Sequence, residues 1–158
     1  MSRKILFVDM DGTLCEFSVN GNILPPDTDW EKEGYFVHRR PLSVSIDKLI
    51  RVRHQYPRTL IVILTAVPSK IGQEEKLHWL EDYGLDRYTD HIVFVDYPNG
   101  NKALMLEYVC AQNNWDVKDA LLIDDDLKIL FDAQARGIDV MHVSTFLTRS
   151  AKVSNLFV

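Results

Sequence analysis

The chain has 158 residues, with 18 lysines and arginines against 23 acids for a formal charge of −5, and 46% of it is apolar and 26% charged. This is the ordinary usage of a single globular domain, long enough to bury about 70% of its unfolded surface without a disulfide or a structural metal. Disordered, collagenous and low-complexity architectures are excluded, and the negative balance argues against a duplex nucleic-acid partner, whose phosphates attract cationic surfaces.

The first apolar run, Ile5-Leu6-Phe7-Val8, ends at Asp9-Met10-Asp11-Gly12-Thr13. From about Cys15 to Arg40 the chain carries Gly21, Pro25, Pro26 and Gly34 with little periodicity, which predicts an excursion over the sheet edge. After Pro41, Leu42, Ile46, Leu49, Ile50 and Arg53 fall at helical spacing. Leu60 to Leu64 is a second run and ends at Thr65. The segment from Gln73 to Tyr83 predicts a helix with Leu77 and Leu80 on one face and Gly84 as its C-terminal cap. Ile92-Val93-Phe94-Val95 follows, ending at Asp96. A third helix is predicted around Leu104, Met105, Tyr108 and Val109, preceded by Lys102. Leu121-Leu122-Ile123 ends at Asp124-Asp125-Asp126, and a fourth helix carries Leu127, Leu130, Phe131 and Ala135 up to Gly137. Val140-Met141-His142-Val143 is a weaker fifth strand, and residues 144–158 show no clear pattern.

The strand runs are continuous and rich in Val and Ile rather than alternating, as in strands covered on both faces. Strands alternating with helices predict an α/β fold, a doubly wound parallel sheet. The longest apolar run has five residues, far short of the roughly 20 of a membrane span. Met1-Ser2-Arg3-Lys4 leads directly into the first strand, so no signal peptide is expected there. Cys15 and Cys110 have neither metal nor redox spacing. A cytoplasmic protein with no membrane partner is expected.

In open α/β sheets the ligand crevice lies beyond the carboxyl ends of the strands, and every functional candidate sits at such an end. Asp9 and Asp11 would repel each other, so a cation between them is expected, and oxygen-only ligands point to Mg²⁺. The plain alternative is an Asx turn with a helix cap at Thr13. Thr65 has the chemistry of a phosphate ligand, or of a helix cap. Lys102 could neutralise a phosphoryl group, or be a solvated lysine on a first helical turn. Of Asp124, Asp125 and Asp126, a metal would account for two and the start of the next helix for the third. Taken together these are the parts for phosphoryl transfer through an aspartyl-phosphate: a carboxylate nucleophile, Mg²⁺, an acid/base carboxylate and phosphate clamps.

Asp9-Met10-Asp11-Gly12-Thr13, Thr65, Lys102 and Asp124-Asp125 resemble the four-motif signature of the haloacid dehalogenase superfamily. The resemblance implies a Rossmann-like core and assigns Asp9 as nucleophile and Asp11 as general acid/base. Thr65 and Lys102 become phosphate-binding catalytic residues. Asp9, Asp11 (through its backbone carbonyl), Asp124 and Asp125 become the metal set, with Asp125 the favoured direct ligand of the final pair. The second Asp favours phosphatase over dehalogenase chemistry. A narrower resemblance is to the 5′(3′)-deoxyribonucleotidase branch, carried by the stretch from Asp9 to Phe17, by Gly34-Tyr35-Phe36 before Pro41, by Glu75-Lys76-Leu77-His78-Trp79-Leu80-Glu81, and by Leu121 to Asp125. It implies a nucleotide pocket with Phe17 on its wall and Tyr35, Thr65, Ala66 and Lys102 as further substrate contacts. Two departures stand out. The excursion is about half the length that branch would lead one to expect, so the cap is reduced. Ala66 stands where the branch often has Ser, which removes one phosphate-binding hydroxyl.

The expected activity is Mg²⁺-dependent hydrolysis of a small phosphorylated metabolite, such as a deoxyribonucleoside monophosphate. A sugar phosphate is the alternative substrate. A phospho-accepting receiver module uses similar groups, but with its acidic pair before the acceptor Asp. A relative that only binds nucleotides is disfavoured by the intact Asp9, Asp11, Thr65 and Lys102. A short cap also leaves room for a partner chain, so a homodimer is compatible with the sequence.

Overall fold

The computed structural model describes residues 4–17 and 27–149. Five parallel strands form one sheet: β1 (Ile5–Val8), β2 (Leu60–Val67), β3 (His91–Asp96), β4 (Ala120–Asp124) and β5 (Asp139–His142), in the order β3-β2-β1-β4-β5. The helices are α1 (Ser43–Gln55), α2 (Lys70–Asp82), α3 (Lys102–Gln112), α4 (Leu127–Ala135) and α5 (Val143–Thr148). Short 3-10 turns occupy Asp27–Glu31, Leu85–Arg87 and Val117–Asp119. No helix among the described residues is long and apolar enough to cross a membrane.

Alternation along the strands makes two cores. Leu6, Val8, Ile61, Ile63, Leu121 and Ile123 face α1, α2 and α5, packing on Ile46, Leu49, Trp79, Leu80 and Phe146. Ile5, Phe7, Leu60, Val62, Leu64 and Leu122 face α3 and α4, packing on Ala103, Leu106, Cys110, Leu130 and Ala133. Each strand is therefore apolar on both faces, which is why its sequence reads as a continuous run. The doubly wound α/β fold is the one expected.

Several details differ from the sequence reading. β2 continues past Leu64, pairing Thr65 with Phe94 and Ala66 with Val95, because the Thr65 hydroxyl finds polar partners beyond the sheet end. Thr65 therefore caps no helix; Ser69 caps α2, accepting from the Gly72 N–H at 3.1 Å. No helix starts at Thr13 either: the Met10 carbonyl accepts from the amides of Thr13, Leu14 and Cys15 in a tight turn. α2 turns Leu77 outward and buries Glu75, Lys76, Trp79 and Leu80 instead. Leu104, Tyr108, Leu127 and Phe131 are likewise exposed. Asp126 caps α4 through the Lys128 amide, and Gly84 and Gly137 end α2 and α4 with positive φ. α5 occupies the start of the segment without a sequence pattern; residues 150–158, and residues 18–26 of the expected excursion, lie outside the described residues.

Beyond Phe17, the described part of the excursion packs Trp30, Tyr35 and Phe36 against Val67 and Phe94 at the end of the sheet. Helix α2 fixes it there. Glu75 accepts the amides of Gly34 and Phe36, and the Trp79 indole donates to the Arg39 carbonyl at 2.8 Å.

Candidate active site

The strand order reverses direction between β1 and β4: β2 and β3 lie on one side of β1, β4 and β5 on the other. Such a switch point opens a crevice at the carboxyl ends of the two central strands. Val8 pairs with Ile123, so Asp9 and Asp124 leave the sheet side by side. Oxygens of Asp9, Asp124 and Asp125 lie within 4.8 Å of one another. Lys102, on the first turn of α3, joins them: its ammonium donates to Asp9 Oδ1 at 2.6 Å and to Asp124 Oδ2 at 2.8 Å. An ammonium has three protons, and these bonds leave one uncommitted among the described residues.

Electrostatics here are lopsided. Burial pushes the Asp9 carboxyl well above its ordinary value; Lys102 pulls it down, while Asp124 and Asp11 add to the rise. Burial and the neighbouring Asp124 raise Asp125 to about 6. For Lys102, burial is outweighed by Asp9 and Asp124, which hold its ammonium charged. Three carboxylates around one lysine leave uncompensated negative charge, and the donors are all hard oxygens. The residues present therefore fit Mg²⁺.

Asp125 reaches this cluster because Gly12 makes space for it. A Cβ at Gly12 would stand 2.2 Å from Asp125 Oδ2, and Gly12 has φ +78°. Glycine suits that position for its conformation and for the carboxylate packed against it; a larger residue there would be strained and would push Asp125 aside.

Asp9 and Asp11 do not share a site through their side chains, as the repulsion argument had expected. The Asp11 carboxylate turns to a separate group of cations. Its Oδ1 is 3.2 Å from Arg39 Nη1, and its Oδ2 accepts from Lys76 Nζ at 2.5 Å. The remaining Lys76 protons go to Thr65 Oγ1 and the Ala66 carbonyl, both at 2.7 Å. Burial alone would raise the Asp11 carboxyl, but Lys76 and Arg39 outweigh it and hold it below its ordinary value. Lys76 and Arg39 are fully buried.

A cavity of about 240 Å³ lies over the acids, lined by Asp9, Asp11, Phe17, Trp30, Ala66, Tyr97, Lys102, Asp124, Asp125, Asp126 and Ile129. A larger one of about 520 Å³ shares Ala66, Tyr97, Lys102, Asp126 and Ile129 with it. Of the sequence-named residues, Asp9, Asp11, Phe17, Ala66, Lys102, Asp124 and Asp125 thus meet in one crevice. Thr65 is buried beneath it, on Lys76 and Asp11. Tyr35 is buried behind the wall, stacked with Trp30 at 6.3 Å and lying under the Arg39 guanidinium at 4.6 Å, and lines neither cavity. Trp30 also stacks on Tyr97 at 5.1 Å and meets the Phe17 edge at 5.6 Å, so the wall is a run of three rings.

Sequence reasoning singled out neither Lys76 nor Arg39 as functional. One usable signal for Lys76 is its spacing from Trp79 and Leu80, three and four residues on, which puts it on the buried face of α2.

No protein-family model and no curated protein sequence matches the chain. Solved structures do. A HAD-hydrolase from Bacillus subtilis, bound to magnesium, superposes with a TM-score of 0.63 at 12% identity, over 89% of this chain and 86% of that one. For a haloacid dehalogenase-like hydrolase from Streptococcus pneumoniae the TM-score is 0.61 at 13% identity, over 87% and 83%. A D,D-heptose 1,7-bisphosphate phosphatase from Burkholderia thailandensis gives 0.56 at 14% identity, over 86% and 75%. At these identities the likeness is one of fold: the sheet and its helices have the same Rossmann-like α/β architecture as the cores of these hydrolases.

Proposed function

We propose that this chain is a haloacid dehalogenase-superfamily phosphatase: a Mg²⁺-dependent phosphomonoester hydrolase with a reduced cap at about residues 15–40. Its substrate is a small phosphorylated metabolite, in the first place a deoxyribonucleoside monophosphate. The observation that carries this reading is the convergence of Asp9, Lys102, Asp124 and Asp125, from the ends of two strands and the start of α3, on one crevice. Sheet order supports an enzyme over a receiver module, since receivers use the order 2-1-3-4-5.

Asp9, Asp124 and Asp125, with the Asp11 backbone carbonyl, would hold Mg²⁺, which when bound neutralises phosphoryl oxygens. An Asp9 carboxylate oxygen attacks phosphorus in line, the ester P–O bond breaks, and an aspartyl-phosphate forms. Lys102 gives its uncommitted proton to a phosphoryl oxygen as a hydrogen bond and stabilises the charge that develops there. Asp11 delivers a proton to the leaving alkoxide. The dianionic phosphoryl group beside it raises the Asp11 carboxyl by like-charge repulsion, against Lys76 and Arg39, so that it can carry that proton. Water then attacks phosphorus and passes a proton to Asp11; inorganic phosphate leaves and the Asp9 carboxylate is restored. Thr65 and Lys76 keep Asp11 in register beneath the crevice. Phe17, Trp30 and Tyr97 offer stacking surface to a nucleobase.

The test is a phosphatase screen over nucleotides and sugar phosphates, with and without Mg²⁺. Turnover of a generic aryl phosphate should require Mg²⁺ and vanish in Asp9→Asn with the fold intact. Wild-type turnover by Asp9→Asn would overturn the nucleophile assignment. Equal rates on deoxynucleoside monophosphates and sugar phosphates would remove the nucleotidase reading and leave the sugar-phosphate alternative in play.

A further inference from the structure

We infer that His142 is a positioning residue for Asp125, acting through a single imidazole tautomer; this rests on the metal centre proposed above. β5 pairs with β4 so that His142 lies opposite Asp124. The ring extends one residue further along, and its Nε2 lies 3.1 Å from the Asp125 carbonyl oxygen. On the other side, Nδ1 receives the Ser144 backbone N–H at 3.2 Å and lies 2.7 Å from the Ser144 hydroxyl.

The partners dictate the proton. A backbone N–H can only donate, so Nδ1 must carry a lone pair; a carbonyl can only accept, so Nε2 must carry the hydrogen. One side chain therefore does two jobs. Nδ1 caps α5, and Nε2–H ties down the backbone of Asp125.

Asp125 needs that tie. Its neighbour Asp124 is fixed by Lys102 and by the Asp126 amide, which donates to Asp124 Oδ1 at 2.9 Å. No side-chain hydrogen bond or ion pair to another described residue holds the Asp125 carboxylate. It is confined by contact with Gly12 on one side and by the backbone clamp from His142 on the other. A carboxylate placed this way is held in reserve for an added cation, and groups that orient metal ligands typically change metal affinity about 10- to 100-fold when removed.

Two substitutions separate the jobs. His142→Asn keeps an acceptor where Nδ1 was, and so the helix cap, but cannot reach Asp125. His142→Gln keeps a donor where Nε2 was and loses the cap. Calorimetric titration with Mg²⁺ alone should show His142→Asn binding at least about tenfold more weakly than wild type, with Tm little changed. His142→Gln should have a lower Tm and an affinity within about threefold of wild type, about 0.65 kcal/mol. In assays the Asn variant should need more Mg²⁺ for half-maximal rate while reaching a kcat near wild type at saturation. Wild-type Mg²⁺ affinity in His142→Asn, or an equal loss in both variants, would overturn the assignment. So would the Nδ1–H tautomer in the ¹⁵N spectrum of the wild-type imidazole, a readout that needs no variant to fold. Wild-type protein that binds no Mg²⁺ would instead sink the metal centre itself, and His142's role with it.

Discussion

Asp9 and Asp11 are two residues apart, both buried, and electrostatically opposite. Asp9 belongs to a group of three carboxylates served by one lysine, and its carboxyl is pushed up. Asp11 is one carboxylate served by a lysine and an arginine, and its carboxyl is pulled down. The first group is short of positive charge; the second has one cation more than it has carboxylates, and Arg39 Nε and Nη2 are buried there without a hydrogen-bond partner among the described residues. Without ligands this order is the reverse of what an ionised nucleophile and a protonated acid need, so a cation beside Asp9 and a phosphoryl dianion beside Asp11 must shift the two carboxyls in opposite directions. The division also says which half of the site depends on an added cation for its stability.

The largest effects should come from exchanging the two lysines for methionine. Lys76→Met strands Asp11 on Arg39 alone and leaves the Thr65 hydroxyl and the Ala66 carbonyl without a donor. Removing one partner of a buried ion pair costs about 3–5 kcal/mol, and Mg²⁺ should not restore the loss because the Asp11 carboxylate, turned toward Arg39, is not among its ligands. Lys102→Met leaves Asp9 and Asp124 facing each other without a cation. It should destabilise the metal-free protein by a similar amount, and here Mg²⁺ should recover much of the loss. Urea denaturation of both variants, with and without Mg²⁺, decides the matter. Equal Mg²⁺ rescue in both would erase the distinction between the groups.

Gly12→Ala tests the acid-rich group by geometry rather than charge. The new methyl meets Asp125 Oδ2 and the backbone stays at φ +78°. Strain of this kind costs of order 1–3 kcal/mol, and displacing Asp125 should weaken Mg²⁺ binding about 10- to 100-fold. An affinity matching wild type in a titration would mean that Asp125 is not a ligand.

A further contrast lies in pH. Asp125 must be ionised to bind a cation, and its carboxyl sits at about 6. Protons therefore compete with Mg²⁺ below that value, and affinity should fall up to tenfold per unit as pH drops from about 6 toward 4.5. Stability of the metal-free protein runs the other way. A raised carboxyl favours the folded metal-free protein at low pH, and that contribution fades as pH rises from the unfolded value through about 6. Asp11 has the opposite sign: its stabilisation is present above the ordinary carboxylate value and lost only below it. A Mg²⁺ affinity flat from pH 7 to 5 would break the contrast.

The two groups were not equally legible in the sequence. Asp9, Lys102, Asp124 and Asp125 each follow a strand or open a helix, so the sheet rule puts them at one edge before any coordinate is known. Lys76 and Arg39 sit elsewhere. Lys76 lies in the middle of a helix whose leucines suggested a different buried face, and Leu77 is exposed while Lys76 is not. Arg39 lies in an aperiodic segment and meets Asp11 only because Glu75 and Trp79 dock that segment on α2. Pattern rules read charge as a sign of solvent. They miss a buried cation whose partner is 65 positions away along the chain, as Asp11 is from Lys76.

Phe17 gives the smallest effect and the finest test: it carries no charge, and its one contact with the two groups is the Arg39 guanidinium, 5.8 Å over its ring. Its ring is 38% exposed, lines the crevice over the acids and leans on Trp30. Phe17→Ala removes stacking surface worth about 0.5–1.5 kcal/mol beyond the area it covers. For a deoxynucleoside monophosphate this should appear as a KM rise of roughly 3- to 10-fold with kcat nearly unchanged, the mark of binding lost equally from ground and transition states. For a small sugar phosphate, which brings no base to the ring, neither constant should move. A matching KM rise on both substrates would make Phe17 a support for the crevice rather than a contact for a base, and would move the preferred substrate toward the sugar phosphates.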